Sequence, residues 1–169
     1  MRLPAVLKKC IRKVCLNQLF LQLIFILSVC IQTGCGMSEQ RDLGAFEKYV
    51  TQFEEASVKN HRPIQVISLV IRMGSLPKQT LALCTIGAGA PLITVNQDRW
   101  SSLSESQKSI VLNHEFGHCV LNKKHNNASD PSGVRKIKSI MNAHPLLATD
   151  YSIHAESYLA ELFSQNSDI

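Results

Sequence analysis

The sequence predicts a single α+β domain in which a small twisted mixed sheet packs against helices. Helical periodicities in residues 42–57 and 105–121 flank a stretch of short apolar, strand-like segments that are broken by turn residues. A third helical pattern occupies residues 152–163. About 135 residues follow an N-terminal apolar segment, which suffices for one hydrophobic core but not for two.

The first helix is predicted between Asp42 and Ser57. Its apolar residues recur at spacings of three and four, so they share one face while the charged residues occupy the other. These apolar residues are Leu43, Phe46, Val50 and Phe53.

Three strands are predicted next. Residues Pro63–Met73 form a nearly continuous run of β-branched and apolar side chains, as in a strand buried on both faces. The second strand is Leu81–Ile86, which ends at a glycine-rich break in residues 87–91, and the third is Leu92–Asn96. Because Pro91 lacks an N–H and stands at the start of the third strand, we expect that strand to lie at an edge of the sheet.

The longest helix is predicted over residues Glu105–Leu121, with Ser104 and Gln107 in a capping-box pattern at its start. A turn-rich stretch follows, and residues 137–141 form a short apolar segment. The closing helix is predicted over residues Ser152–Phe163. Its inward residues are expected to be Ile153, Tyr158, Leu159 and Leu162.

The N-terminal segment differs in charge from the rest of the chain. Five basic residues and no acidic residue precede Cys35, namely Arg2, Lys8, Lys9, Arg12 and Lys13. The apolar run Leu16–Ile31 follows them, and this order is typical of a secretory signal, which we assign to residues 1–34. Of the chain's 18 Lys and Arg, 13 remain in residues 35–169 against 13 Asp and Glu. The domain is therefore near neutral, and we expect no nucleic-acid partner.

The end of this segment resembles a bacterial lipobox, in which a small residue such as Gly34 precedes a cysteine that becomes lipid-modified. The resemblance implies an exported lipoprotein anchored through Cys35. Because no aspartate follows Cys35, it points to the outer membrane, with the domain facing the periplasm or the cell surface. Gln32 stands where the motif usually has leucine, which leaves cleavage at another nearby bond, or an uncleaved membrane anchor, as alternatives.

Cys84 and Cys119 are the two cysteines that fall in the predicted domain apart from the lipid-bearing one. In an oxidising compartment an even number of cysteines favours a disulfide. The alternative is that both are small buried apolar residues. We expect the two to lie close together, and a bridge requires their Cα atoms to be within about 7 Å.

The longest predicted helix carries the sequence His-Glu-Phe-Gly-His at residues 114–118. Positions i and i+4 share one helix face, so the imidazoles of His114 and His118 can reach one ion. The ion would bind a water molecule, and Glu115 could take its proton. We therefore predict a zinc site with Glu115 as the catalytic base.

A catalytic zinc usually has three protein ligands, and His125 is the nearest candidate for the third. On an uninterrupted helix His125 would lie about 10 Å beyond His118, too far for one ion. The helix must therefore end between them. Asn122 is predicted to end it, because asparagine tolerates the left-handed conformation found at helix C-termini. Glu156, on the closing helix, is the alternative third ligand.

The stretch from His114 to His125, followed by Ser139-Ile140-Met141-Asn142, resembles the metzincin group of zinc peptidases. The common pattern has glycine three residues after the second histidine and the third histidine three further on, whereas here Leu121 takes the glycine position and His125 comes one residue late. The resemblance covers roughly residues 92–142. It implies a methionine turn in which Met141 forms an apolar floor under the histidines. It also implies that residues Ile93–Asn96 form an edge along which a peptide lies extended.

Taken together, these patterns predict a zinc-dependent endopeptidase that hydrolyses peptide or protein substrates. His114, His118 and His125 would hold Zn²⁺, and Glu115 would activate the attacking water. Two alternatives remain open: a non-catalytic zinc-binding envelope lipoprotein, and a structural lipoprotein in which the motif is accidental.

Overall fold

The computed structural model describes residues 43–129, 132–133, 137–144 and 146–164. The predicted signal, residues 1–34, and the predicted lipid attachment at Cys35 lie outside the described residues. Among the helices that are described, none is both long enough and apolar enough to cross a membrane.

Helices and a three-stranded sheet make up the described part of the chain. In chain order the elements are a 3₁₀ turn (Gly44–Phe46), α1 (Glu47–Lys59), β1 (Val70–Gly74), β2 (Ala82–Thr85), β3 (Leu92–Asn96), α2 (Gln97–Trp100), α3 (Glu105–Cys119) and α4 (Ala148–Phe163). The strand order is β1-β3-β2, with β3 parallel to β1 and antiparallel to β2. The mixed sheet and its helices confirm the predicted α+β class.

The prediction that the third strand lies at an edge is wrong, because β3 is the central strand. Pro91 stands just outside the paired residues, so its missing N–H interrupts no ladder bond. Its carbonyl oxygen still accepts a hydrogen bond from the Val70 N–H, at 3.0 Å. Ile93 and Val95 are fully buried, as a central strand requires. Within the described sheet the edges are β1 and β2.

The first strand is shorter and less buried than predicted. Pairing begins only at Val70, whereas the prediction began at residue 63. Val70 and Met73 are 45% and 42% exposed, while Ile71 is buried. The reason is that β1 is an edge strand with one covered face, so its apolar run does not indicate burial on both sides.

The predicted helices are present, with shifts at their ends. Ser104 caps α3 as predicted, since its hydroxyl accepts from the Gln107 N–H while the Gln107 side chain accepts from the Ser104 N–H. The closing helix begins at Ala148 rather than at Ser152. Ile153 is 73% exposed, contrary to prediction. It lies five residues before Tyr158 and so falls off the buried face, which Tyr151 and Tyr158 share at a spacing of seven. The rest of the predicted inward face turns inward: Tyr158 and Leu162 are buried and Leu159 is partly buried.

Three helices meet through aromatic side chains in the core. The ring of Phe53 on α1 lies 4.9 Å from that of Phe116 on α3 and 5.1 Å from that of Phe163 on α4, between centroids. Phe116 and Leu112 are fully buried. This packing fixes one face of α3 in the core and leaves the neighbouring face, with His114 and His118, for the site.

Candidate metal centre

Two imidazoles project from one face of α3. His114 and His118 are one helical turn apart, and their Nε2 atoms are separated by 3.2 Å. Both side chains are partly buried at the wall of a cleft. The helix therefore brings these two predicted ligands together through local geometry alone.

A turn after α3 delivers the third imidazole. α3 ends at Cys119, and Asn122 has a φ of +54°, the left-handed conformation that was predicted for it. The chain then folds back, and the Lys123 N–H donates to the carbonyl of Gly117 at 2.8 Å. As a result, Nε2 of His125 lies 3.3 Å from Nε2 of His114.

Backbone carbonyls fix the tautomers of two rings. Nδ1 of His114 lies 2.8 Å from the Ile140 oxygen, and Nδ1 of His118 lies 2.7 Å from the Lys123 oxygen. A carbonyl oxygen only accepts, so each Nδ1 must carry the proton. In the neutral rings Nε2 is then left with its lone pair, and the two Nε2 atoms face each other without a proton between them. A metal ion is the partner that suits such an arrangement.

The spacing of the donors fits a tetrahedral ion. Ligand atoms of His114, His118 and His125 all lie within 4.8 Å of one another, so the three residues are close enough to bind a single metal ion. Two nitrogens bound at ~2.05 Å to one tetrahedral ion lie roughly 3.3 Å apart. The two Nε2 separations given above, 3.2 and 3.3 Å, match that spacing.

Burial favours the neutral, metal-binding form of two of the histidines. It lowers the pKa of His114 to about 4, against the opposing effect of the hydrogen bond to the Ile140 carbonyl. Burial, and then the neighbouring His118, also lower the pKa of His125. Only a neutral imidazole binds a metal, so at neutral pH no proton has to leave His114 before ligation.

Glu115 lies in the same cleft and is held by the edge strand β2. Its Oε2 accepts a hydrogen bond of 2.7 Å from the backbone N–H of Cys84. Burial raises the pKa of Glu115 to about 7, although the Cys84 N–H acts in the opposite direction. A carboxyl group with this pKa can both take and return a proton near neutral pH.

A disulfide joins β2 to α3. Cys84 and Cys119 are bridged, with their Cα atoms 5.8 Å apart. One end of the bridge is the residue whose N–H holds Glu115, and the other end directly follows His118. The bridge thus ties the strand that positions the carboxylate to the helix that carries the two histidines.

Met141 packs directly beneath α3. It is buried, and a Cβ added to Gly117 would lie 2.2 Å from the Met141 sulfur. Glycine at position 117 is therefore what allows the methionine to approach the helix next to His118. This arrangement places Met141 on the core side of the histidine-bearing helix.

A cleft of about 630 Å³ runs between β2 and α3, and His114, Glu115, His118 and His125 line it. Apolar side chains form much of the remaining wall, among them Leu81, Leu83, Ile86, Ile110 and Val111. The peptide-binding edge predicted at Ile93–Asn96 is wrong, because β3 is paired on both sides and cannot accept another strand.

Several residues of the site were missed by sequence reasoning. Glycine in the interior of a helix costs about 1 kcal/mol relative to alanine, which was a signal that Gly117 has a packing role. The amide of Cys84 gave no sequence signal. The carboxylate of Glu161 gave none either; it contacts Ser139 in the methionine turn, which comprises residues 139–142. Glu156, the alternative third ligand, is exposed and does not belong to the described wall of the cleft.

Comparisons with family models, with curated proteins and with solved structures find no match to this chain. What can be concluded about function therefore depends on the geometry of the site itself. That geometry is three converging histidines and a carboxyl group held at the same cleft.

Proposed function

We propose that the protein is a zinc-dependent endopeptidase. The observation that carries the proposal is the convergence of three imidazoles from one helix and its following turn beside the buried carboxyl group of Glu115. A structural zinc site is usually closed by four protein ligands, whereas three histidines leave one position for water or substrate. An open position next to a general base is the arrangement that hydrolysis needs.

Zinc is the metal that the donor set favours. Three neutral imidazoles form a nitrogen-only set, which suits zinc better than magnesium or calcium, since those ions prefer oxygen ligands. His114, His118 and His125 would hold the ion. When bound, zinc would supply Lewis acidity that lowers the pKa of water and polarises the carbonyl of the scissile bond.

Glu115 would transfer a proton from the attacking water to the departing amine. Its Oε2 is occupied by the Cys84 N–H, which leaves Oε1 to accept the proton of the attacking water. The same carboxyl would then donate that proton to the nitrogen of the departing amine as the C–N bond breaks. In the metal-free protein burial raises the pKa of Glu115 to about 7. A bound zinc ion would lower this pKa and so favour the carboxylate form that accepts the proton.

The free edge of β2 is the surface that would hold an extended peptide. The Asn96 N–H donates to the Leu81 carbonyl at 2.9 Å, and antiparallel pairing alternates, so Leu81 and Leu83 direct their backbone groups toward β3. Ala82 therefore directs both of its backbone groups toward the free edge. Cys84 offers only its carbonyl there, because its N–H already donates to Glu115. A substrate strand pairing there would add to the sheet beside Glu115.

The composition of the cleft favours an apolar substrate side chain. Ile110 and Val111 lie on α3 one turn before His114 and line the cleft, together with Ala82 from β2. We propose that the peptide bond cleaved by the enzyme has an apolar residue next to it, because these walls would bury such a side chain.

The order of the parts is similar to that in metzincins, and this supports the proposal. The zinc motif, the turn that delivers His125 and the methionine beneath the helix follow one another along the chain. The chain departs from the common pattern by one residue in the turn, and Asn122 occupies the left-handed position there. We propose that the longer turn performs the same task as the common glycine-containing turn.

The decisive experiment combines zinc content with peptide hydrolysis. Wild type should bind one zinc per chain and cleave a mixed peptide library, while Glu115→Gln should keep the zinc and lose about 10²- to 10⁴-fold of the activity. Asp98→Asn, at an exposed position of helix α2, is the control. Zinc without hydrolysis in wild type would indicate a non-catalytic metal site instead, and the absence of stoichiometric zinc would contradict the proposal altogether.

We also propose that the domain is exported and anchored by a lipid on Cys35. The disulfide between Cys84 and Cys119 supports an oxidising compartment. Mass spectrometry of the mature protein should find Cys35 at the N-terminus, carrying acyl chains. An unmodified chain that begins elsewhere would contradict the anchor.

A further inference from the structure

We propose that Glu161 is the positioning residue of the metal centre, an inference that depends on the proposed zinc site. Glu161 lies on α4, far along the chain from all three histidines, and it is partly buried. Its carboxylate contacts both segments that complete the site after α3. One is the methionine turn, and the other is the residue that follows His125.

The first contact holds the methionine turn. The hydroxyl of Ser139 donates to the Glu161 carboxylate, with Oγ 3.0 Å from Oε1 and 2.9 Å from Oε2. The same hydroxyl oxygen accepts a 3.0 Å hydrogen bond from the Met141 N–H. Ser139 is completely buried, so neither of its bonds can be replaced easily by bulk water.

This contact orients His114. Ile140 lies between Ser139 and Met141, the two residues of the turn that are fixed by hydrogen bonds. Its carbonyl oxygen accepts the hydrogen bond from Nδ1 of His114 at 2.8 Å. Glu161 therefore sets the position of the carbonyl that fixes the ring orientation of one ligand.

The second contact orients His125. Nδ2 of Asn126 donates to Oε1 of Glu161 at 3.3 Å, and the Asn126 backbone N–H donates to the Met141 carbonyl at 2.9 Å. Asn126 directly follows His125, so these two bonds fix the chain at the third ligand. The Glu161 carboxylate therefore hydrogen-bonds both to the residue that follows His125 and to Ser139 of the methionine turn.

Both partners of the Glu161 carboxylate donate, and they share one of its oxygens. Oε1 accepts from Oγ of Ser139 at 3.0 Å and from Nδ2 of Asn126 at 3.3 Å. Glutamine can place its amide oxygen in the same position and keep both hydrogen bonds. Methionine is similar in size but has no oxygen acceptor, so Glu161→Met removes both hydrogen bonds while largely keeping the volume of the side chain.

The test measures zinc affinity by competition with a chromogenic chelator, together with thermal unfolding of the metal-free protein. Glu161→Met should lower zinc affinity by about 10- to 100-fold, whereas Glu161→Gln, which keeps an oxygen acceptor, should bind zinc like wild type. Glu156→Met, an exposed control on the same helix, should also bind zinc like wild type. A purely structural role for Glu161 would instead lower the unfolding midpoint of metal-free Glu161→Met and leave the zinc affinity of the folded protein unchanged.

Ser139→Ala provides a second way to break the same link if Glu161→Met does not fold. It should lower zinc affinity to a similar extent, and the effects of the two substitutions should not add, because they remove one chain of contacts. If wild type binds zinc and both Glu161→Met and Ser139→Ala bind it equally well, the role of Glu161 alone is overturned. Wild type that binds no zinc would overturn the zinc proposal and this inference together.

Discussion

The two halves of the metal centre are held by different kinds of interaction. His114 and His118 share a face of α3, so a single helix with a complete capping box sets their separation. His125 and Glu115 depend instead on distant segments, namely the methionine turn, α4 and the edge strand β2. The helix alone brings the two histidines to one face, although the carbonyls of Ile140 and Lys123 orient their rings. His125 and the contact that holds Glu115 come into place only when the whole domain has packed. The second half should therefore be the more sensitive to substitutions elsewhere in the fold.

Removing ligands from each half should give the largest effects. His118→Ala leaves one helical ligand and should lower zinc affinity on the order of 10³-fold, because a zinc-binding free energy of about 10–16 kcal/mol is shared among few ligands. His125→Ala keeps the helical pair and should lose less affinity. His144 is exposed, and His144→Ala is the control. Zinc affinity is measured by competition with a chelator. Equal losses for His118→Ala and His125→Ala would contradict the difference between the two halves.

Breaking the disulfide should show how far the second half depends on β2. The bridge closes a loop of 35 residues, so the double variant Cys84→Ala/Cys119→Ala should lose about 4 kcal/mol of unfolding free energy. Peptidase activity should fall further than zinc affinity, because the Cys84 N–H contacts Glu115 and not the histidines. Denaturant unfolding, zinc competition and hydrolysis separate these effects. A variant whose activity and affinity fall in the same proportion would argue against a selective role of β2.

The unfolding free energy of the metal-free protein should depend on pH through both Glu115 and His114. The pKa of Glu115 rises from 4.5 to about 7 on folding, so it contributes roughly 3 kcal/mol below pH 4.5 that is lost as the pH rises through 7. The pKa of His114 falls from 6.5 to about 4, so its contribution is lost as the pH falls from 6.5 toward 4. The two pH ranges overlap and the two contributions change in opposite directions, so in wild type they should largely cancel between pH 4.5 and 6.5. Denaturant unfolding of Glu115→Gln should therefore show a stability that rises as the pH rises from 4 to 6.5. A stability of Glu115→Gln that does not change over this range would show that His114 does not carry the lowered pKa.

Asn122 stands at the junction of the two halves, where the smallest effects are expected. Asn122→Gly should keep or improve zinc affinity, because glycine adopts the left-handed conformation freely. Asn122→Val should strain the turn by ~1 to 2 kcal/mol and weaken zinc binding before the fold is lost. Zinc titration beside circular dichroism compares the two. Equal zinc affinity in both, with the fold unchanged, would mean that His125 is not a ligand.

The elements that were predicted best are those specified by residues close together in the chain. The capping box of Ser104, the face shared by His114 and His118, and the left-handed Asn122 all follow from spacings of a few residues. The predicted burial of the first helix face is also confirmed, since Leu43, Phe46, Val50 and Phe53 are all buried. Each of these features is local, and helix periodicity and capping act over one or two turns.

Strand order could not be predicted in the same way. Pro91 pointed to an edge because proline removes a donor, yet a proline one residue outside the ladder is compatible with a central strand. The apolar run before Met73 indicated burial on both faces, although β1 lies at an edge. Which strand lies between the others depends on pairings across residues 70–96, and side-chain patterns within one strand do not specify its neighbours.

Residue types and spacings predicted a histidine pair on a capped helix, a glutamate beside it and a turn that could return a third histidine. Three features became visible only in the folded domain: the strand edge that borders the cleft, the bridge between Cys84 and Cys119, and the contacts of Glu161. The two groups of features differ in the distance along the chain over which they are specified. Helical spacing converts sequence separation directly into distance in space, whereas contacts between α3, α4 and β2 form only when the common core brings them together.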